Sequence, residues 1–299
     1  MGTFMGHALP GSFFIIFASW WIINIWIRYF RSKQRGTEFR SSATFKCSCL
    51  CGKLGTWQVE GALKMLFCSI GLTGEMITGF DDKGNFVNFG NAQHITMFAA
   101  FGLSGLIDIL MHHDFPIPKG MDYVGMLVAV MVEGVLFLFH LHGRKPMDIQ
   151  VHILLVYVLG ASIVSLLVEM YIQNSVLAAL ARSYCVLIQG TWFWQVGAIL
   201  YPHHVNPNAS RWDEEDHEQM MITVLIFAWH MIIDFIVIII MGAAVNCYIK
   251  RTGNCYDAIQ MQNLIHKDST GQTVINLGDS DNDSDLEFEK PSRATVSTK

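Results

Sequence analysis

The side chains able to do chemistry gather around one elbow of the chain, Glu133 to His152, which reads EGVLFLFHLHGRKPMDIQVH. Glu133 and His140 are two helical turns apart, so they share a face about 10 Å apart along the axis. Asp148 and His152 are four residues apart and also share a face. A six-residue turn, Gly143 to Asp148, makes the flanking helices antiparallel neighbours and brings His140, His142, Asp148 and His152 to one end of the pair. The sequence on either side is too apolar for water, and ionisable residues in such surroundings mark a functional site.

The chain of 299 residues is 52% hydrophobic and 15% charged, with a net charge of −5. Soluble domains carry about 25% charge. The charge deficit lies in residues 1–250, and much of the acid in 251–299, so the composition is that of a polytopic membrane protein with an acidic tail. No basic patch is interleaved with stacking aromatics, which argues against nucleic acid as a partner.

Seven stretches reach the ~20 apolar residues that a bilayer crossing needs. They lie near 9–28, 59–79, 92–111, 122–142, 149–171, 177–200 and 220–246. The fold expected is therefore an all-α seven-helix transmembrane bundle over 1–250. The loop 29–58 holds Arg31, Lys33, Arg35, Arg40, Lys46 and Lys53 against the single acid Glu38. The bias of basic residues toward the cytoplasm then puts the N-terminus outside and the C-terminus inside. Residues 251–299 read as a disordered cytoplasmic tail that recruits partners. The Asn208-Ala209-Ser210 sequon falls outside, as glycosylation requires. Cys47, Cys49 and Cys51, in the basic first loop, suit palmitoylation.

Alternating crossings carry the titratable groups to one rim. His7, Glu75, His94, His140, Asp148 and His152 belong at the outer end, with Glu133, His230 and Asp234 deeper. Three uses fit this histidine-rich cup. The leading one is a transition metal such as zinc, with His94, His140, His152 and His230 as ligands. Glu133, Asp148 and Asp234 then orient the rings or relay protons. A proton or ion path is the second use. Haem is the third, disfavoured because the inner face offers only His112 and His113. Each group also has a structural alternative: an interhelical hydrogen bond for His140 or His152, and paired burial for Glu133 and Asp234. A non-catalytic trafficking or scaffold protein of the endomembrane system or plasma membrane is the competing reading.

Several segments in order carry a resemblance: Gly6-His7-Ala8-Leu9-Pro10-Gly11, His142-Gly143-Arg144, Gln189-Gly190-Thr191-Trp192-Phe193-Trp194-Gln195-Val196-Gly197 and Trp229-His230. Over roughly residues 1–250 the chain resembles the transmembrane protein 45 family. That resemblance implies a seven-helix protein of internal membranes or the cell surface with no established catalytic activity, and it supplies no catalytic residues.

Overall fold

The computed structural model describes residues 3–45, 58–141, 143–206, 212–213 and 216–268, with side chains to 252. Two compact units divide the chain, Met1–Lys250 and Arg251–Lys299. Cys47, Cys49, Cys51, His142, Asn208 and the tail beyond 268 lie outside the described residues, so the expectations made for them stay as they were.

Among the described residues eight helices follow one another: α1 (Phe4–Arg35), α2 (Val59–Gly79), α3 (Phe89–His112), α4 (Met121–His140), α5 (Pro146–Tyr171), α6 (Val176–Leu200), the single turn α7 (Pro202–Val205) and α8 (His217–Asp268). Among the described residues there is no strand, only the isolated bridge Phe80–Phe86. The helix ends follow local chemistry. The Thr3 hydroxyl accepts the Gly6 N–H at 3.0 Å to start α1, and Gly36 ends it at φ 64°, a left-handed position where glycine is unstrained. Pro146 opens α5, where its missing N–H costs nothing.

Six of these helices are long and apolar enough to cross a membrane. Of the seven expected spans, α2 is not among these six: Glu60, Lys64 and Glu75 interrupt its apolar run. Those charges face protein partners rather than lipid, as described below. The helix α8 itself is continuous to Asp268.

Two glycine contacts set how closely the helices approach. A Cβ on Gly190 of α6 would stand 2.8 Å from the Ile15 nitrogen of α1, and one on Gly61 of α2 would stand 2.8 Å from the Gly105 carbonyl of α3. Small residues of this kind let helix backbones touch where the hydrophobic effect gives no drive. The Gly61–Gly105 contact lies toward the start of α2. Toward its end, the Asn91 amide of α3 donates to the Glu75 carbonyl at 2.9 Å. The two helices are therefore antiparallel along their length.

The apolar core has two main parts. One joins Ala18, Ile22 and Ile25 of α1 to Leu166, Ala179 and Leu187, with Phe39, Ala43 and Phe45 of the first loop tucked against it. The other joins Met147, Val151, Leu155 and Leu159 of α5 to Val130 and Phe137 of α4 and Trp192 and Val196 of α6.

Candidate functional site

At one end of the bundle the start of α1, the end of α2, the start of α3, the end of α4 and the start of α5 meet around a cavity of about 250 Å³. That volume holds about eight waters. His7, Glu75, His94, Glu133, His140, Arg144 and His152 line it, with Phe14, Phe98, Phe101, Phe137 and Phe193 as apolar wall.

The short α2–α3 connection positions the first pair. Asp81 accepts the N–H groups of Asn85 at 2.8 Å and Lys83 at 2.9 Å, bonds that hold its carboxyl below the usual range. The turn so fixed returns the chain, and His94 Nδ1 lies 3.0 Å from Glu75 Oε1. The His94 and His140 rings are 5.4 Å apart between centroids.

His140 has both ring nitrogens engaged. Nδ1 meets Gln93 Oε1, and Nε2 meets the Arg144 guanidinium. Arg144 also donates to Asp148 Oδ2 at 2.9 Å and to the His140 carbonyl at 3.1 Å, which closes the elbow. His152, fully buried against Phe137, places Nδ1 2.8 Å from the Asp148 carbonyl and 2.8 Å from Asp148 Oδ1. Its Nε2 faces His7 Nε2 at 3.5 Å, and His7 Nδ1 is held by the Thr3 carbonyl at 2.9 Å. Pro10, one turn on, has no N–H to return to the Gly6 carbonyl.

Glu133 forms the floor. It is 2% exposed; Oε1 accepts the Gln189 amide at 2.7 Å, while Oε2 has no hydrogen-bond partner among the described residues. A buried polar atom left this way is uncommon, and an unpaired buried charge is costly.

The structure thus gathers His94, His140, His152, Glu133 and Asp148 at one end and separates two of the other expected residues. His230 packs edge-on to Trp192 at 5.6 Å, and Asp234 accepts the Thr191 hydroxyl at 2.7 Å. Neither lines the cavity, so His94, His140, His152 and His230 do not converge as four ligands. The reason is rotation: α8 turns His230 and Asp234 toward Trp192 and Thr191 of α6, away from the cavity, whose lining residues come from α1 to α6 and the loops between them. Among the described residues no three His, Cys, Asp or Glu side chains are grouped closely enough to enclose a metal ion.

Sequence reasoning missed the opposite end, where Glu60, Lys64, Asp108, Glu169 and Arg182 are buried. Lys64 donates to Asp108 at 2.6 Å and stands 3.5 Å from Glu60. Glu60 accepts Trp21 Nε1 at 2.7 Å, Trp20 Nε1 at 3.2 Å and the Phe45 N–H at 2.9 Å. Arg182 donates to Glu169 at 2.5 Å and to the Ser42 carbonyl at 3.2 Å, and Glu169 accepts the Tyr123 hydroxyl at 3.1 Å. The signal was available: each of these is a charge inside an expected apolar span. Between the two ends lies a second, apolar cavity of about 80 Å³ that shares Pro10, Phe14, Phe98 and Phe101 with the first.

The fold and composition define an integral, multi-pass membrane protein. Comparisons with known proteins place it further. Residues 119–243 match the family described as "Family of unknown function (DUF716)". Among curated proteins the chain is similar to transmembrane epididymal protein 1 of Homo sapiens, 28% identical over 144 residues, covering 48% of this chain and 51% of that protein. It is also similar to transmembrane epididymal protein 1A of Mus musculus (23% over 256 residues) and transmembrane epididymal protein 1 of Rattus norvegicus (24% over 262 residues). The match spans about half the length of the human relative and 78% of each rodent one.

These matches correct the family expected from the motifs: the likeness found is to DUF716 and the transmembrane epididymal proteins, not to the transmembrane protein 45 family. The segments that suggested the latter include packing positions. Gly11 meets Gly190, Gly197 meets His7 and Phe4, and Trp192 donates to the Val151 carbonyl at 2.9 Å. Helix-packing demands of this kind do not define a family.

Proposed function

We propose that this protein is a membrane-embedded binding protein whose cavity, open toward the non-cytoplasmic side, holds a small cationic or hydrogen-bond-donating ligand. The single observation that carries the reading is Glu133: a buried carboxyl oxygen with no hydrogen-bond partner among the described residues, on a cavity whose wall presents imidazoles. A donor or cation entering there satisfies the orphaned oxygen, whereas an anion meets a second negative charge.

The topology belongs to the same reading. Residues 1–250 form a seven-crossing bundle in which α2 is the protein-shielded span, its charges paired with α1 and α3. The basic first loop places the N-terminus outside, so the cavity opens outside as well. The tail from 251 is cytoplasmic.

Thermal unfolding of the full chain in detergent tests the proposal, with ethanolamine hydrochloride and zinc chloride as separate probes. At saturating concentration at least one probe raises the Tm by about 2 °C or more, and Glu133→Gln removes the rise. No rise with either probe, or an unchanged rise in the variant, overturns the reading.

A further inference from the structure

We infer that His7 and His152 form an open, exchangeable site for a divalent transition metal of the zinc type. This deepens the reading of the cavity as a ligand site and rests on it. His7 was not among the ligands expected from the sequence, and the pair differs from the four histidines considered there.

Carbonyl oxygens only accept, so the Thr3 carbonyl fixes a hydrogen on His7 Nδ1, and the Asp148 carbonyl fixes one on His152 Nδ1. A neutral imidazole protonated at Nδ1 leaves its Nε2 lone pair free. Both free lone pairs therefore face each other across 3.5 Å. That separation is too long for a good hydrogen bond between the rings. It is the separation a metal needs: two Zn–N bonds of 2.0–2.1 Å meeting near the tetrahedral angle set their nitrogens about 3.4 Å apart.

The surroundings agree. Metal-bound histidines nearly always donate the other ring N–H to a carbonyl or carboxylate, which fixes the tautomer and aims the lone pair. Both rings have that support, and His152 has the Asp148 carboxylate beside it as well. The rings are held in place by Phe193 and Tyr201 on the His7 side and by Phe137 on the His152 side. Glu133, with its bare oxygen, lies on the same cavity.

The other histidines are committed differently. His140 has both nitrogens occupied, and His230 is outside the cavity. His94 is tied to Glu75 at the rim, a carboxylate–imidazole pair placed where an entering cation passes. Two protein ligands leave the remaining coordination positions to water or to an incoming group, so the site exchanges its ion rather than locking it in. Imidazole ligands in this number suit zinc and copper over magnesium or calcium, which prefer all-oxygen shells.

The test uses the full chain in detergent, with Cys47, Cys49 and Cys51 replaced by serine to remove competing thiolates. Cobalt(II) serves as the spectroscopic probe and zinc as its competitor. His7→Asn and His152→Asn each keep a side-chain N–H for the carbonyl while deleting the Nε2 ligand. The site predicts one cobalt per chain with visible bands displaced by zinc, at least tenfold weaker binding in each variant, and wild-type binding in His230→Ala. Metal-free Tm and gel-filtration profile report whether each variant folds; if the fully buried His152 position does not tolerate asparagine, His7→Asn decides alone. Cobalt and zinc bound equally by wild type and His7→Asn, or by neither, overturns the inference. Should the metals fail while ethanolamine still raises the Tm, the metal site falls and the binding cavity stands; should both fail, both fall.

Discussion

The two ends of this bundle spend their buried charge in opposite ways. At the sealed end, Lys64 and Arg182 stand against Glu60, Asp108 and Glu169, so each buried cation has a carboxylate beside it, although Asp108 Oδ1 and Gln58 Oε1 have no hydrogen bond among the described residues. Residues 39–45 of the first loop pack at this end, with the Phe45 N–H donating to Glu60 and Ser41 bonding Tyr123 at 3.0 Å. At the open end polar side chains line a cavity: Glu133 Oε2 has no hydrogen-bond partner among the described residues, and two imidazole nitrogens face one another. Paired burial fixes the register of helices; unpaired burial around a space invites a ligand. The same residue types thus serve structure at one end and recognition at the other.

Removing one partner at the sealed end leaves a bare buried charge, so Arg182→Met costs about 3–5 kcal/mol. Chemical denaturation in mixed micelles reads this loss. The double variant with Glu169→Leu recovers much of it, because the pair leaves together. Recovery of nothing would mean that Arg182 acts through its stacking over Trp21, 4.5 Å from the ring, and not through the carboxylate.

The matching substitution at the open end behaves differently. Glu133→Gln exchanges an unpartnered carboxylate oxygen for an amide and changes the stability of the unliganded protein by less than about 1 kcal/mol. A loss as large as that of Arg182→Met would erase the contrast between the two ends. At the half-exposed rim, Glu75→Gln loosens His94 and shifts stability by only about 0–1 kcal/mol, while slowing the entry of zinc in a stopped-flow competition with a fluorescent chelator.

The elbow from Glu133 to His152 was legible because it depends on local spacing: seven residues along α4, four along α5 and a turn between them place those groups together whatever the rest of the bundle does. The gathering of His7 and His94 with them followed from counting alternating helices. Helix rotation was not legible. His230 and Asp234 sit at depths that depth alone allows, yet α8 turns them to Trp192 and Thr191. The pairing partners were hidden for a similar reason. Lys64 and Asp108 are 44 residues apart, and what brings them together is the Gly61–Gly105 contact, a property of two backbones rather than of either segment. The same pairing makes α2 read as less apolar than its neighbours while shielding its charges.

The comparison of the ends is most directly tested by water access at two equally buried methionines. Met97 lines the open cavity and Met126 lies beside Arg182 near the sealed end. With the native cysteines replaced, Met97→Cys and Met126→Cys are exposed in intact cells and in inverted vesicles to a small membrane-impermeant methanethiosulfonate. The account predicts that Met97→Cys reacts from the non-cytoplasmic side alone, that zinc slows it, and that Met126→Cys reacts from neither side. Equal reactivity at the two positions, or reaction of Met97→Cys only from the cytoplasmic side, would contradict it.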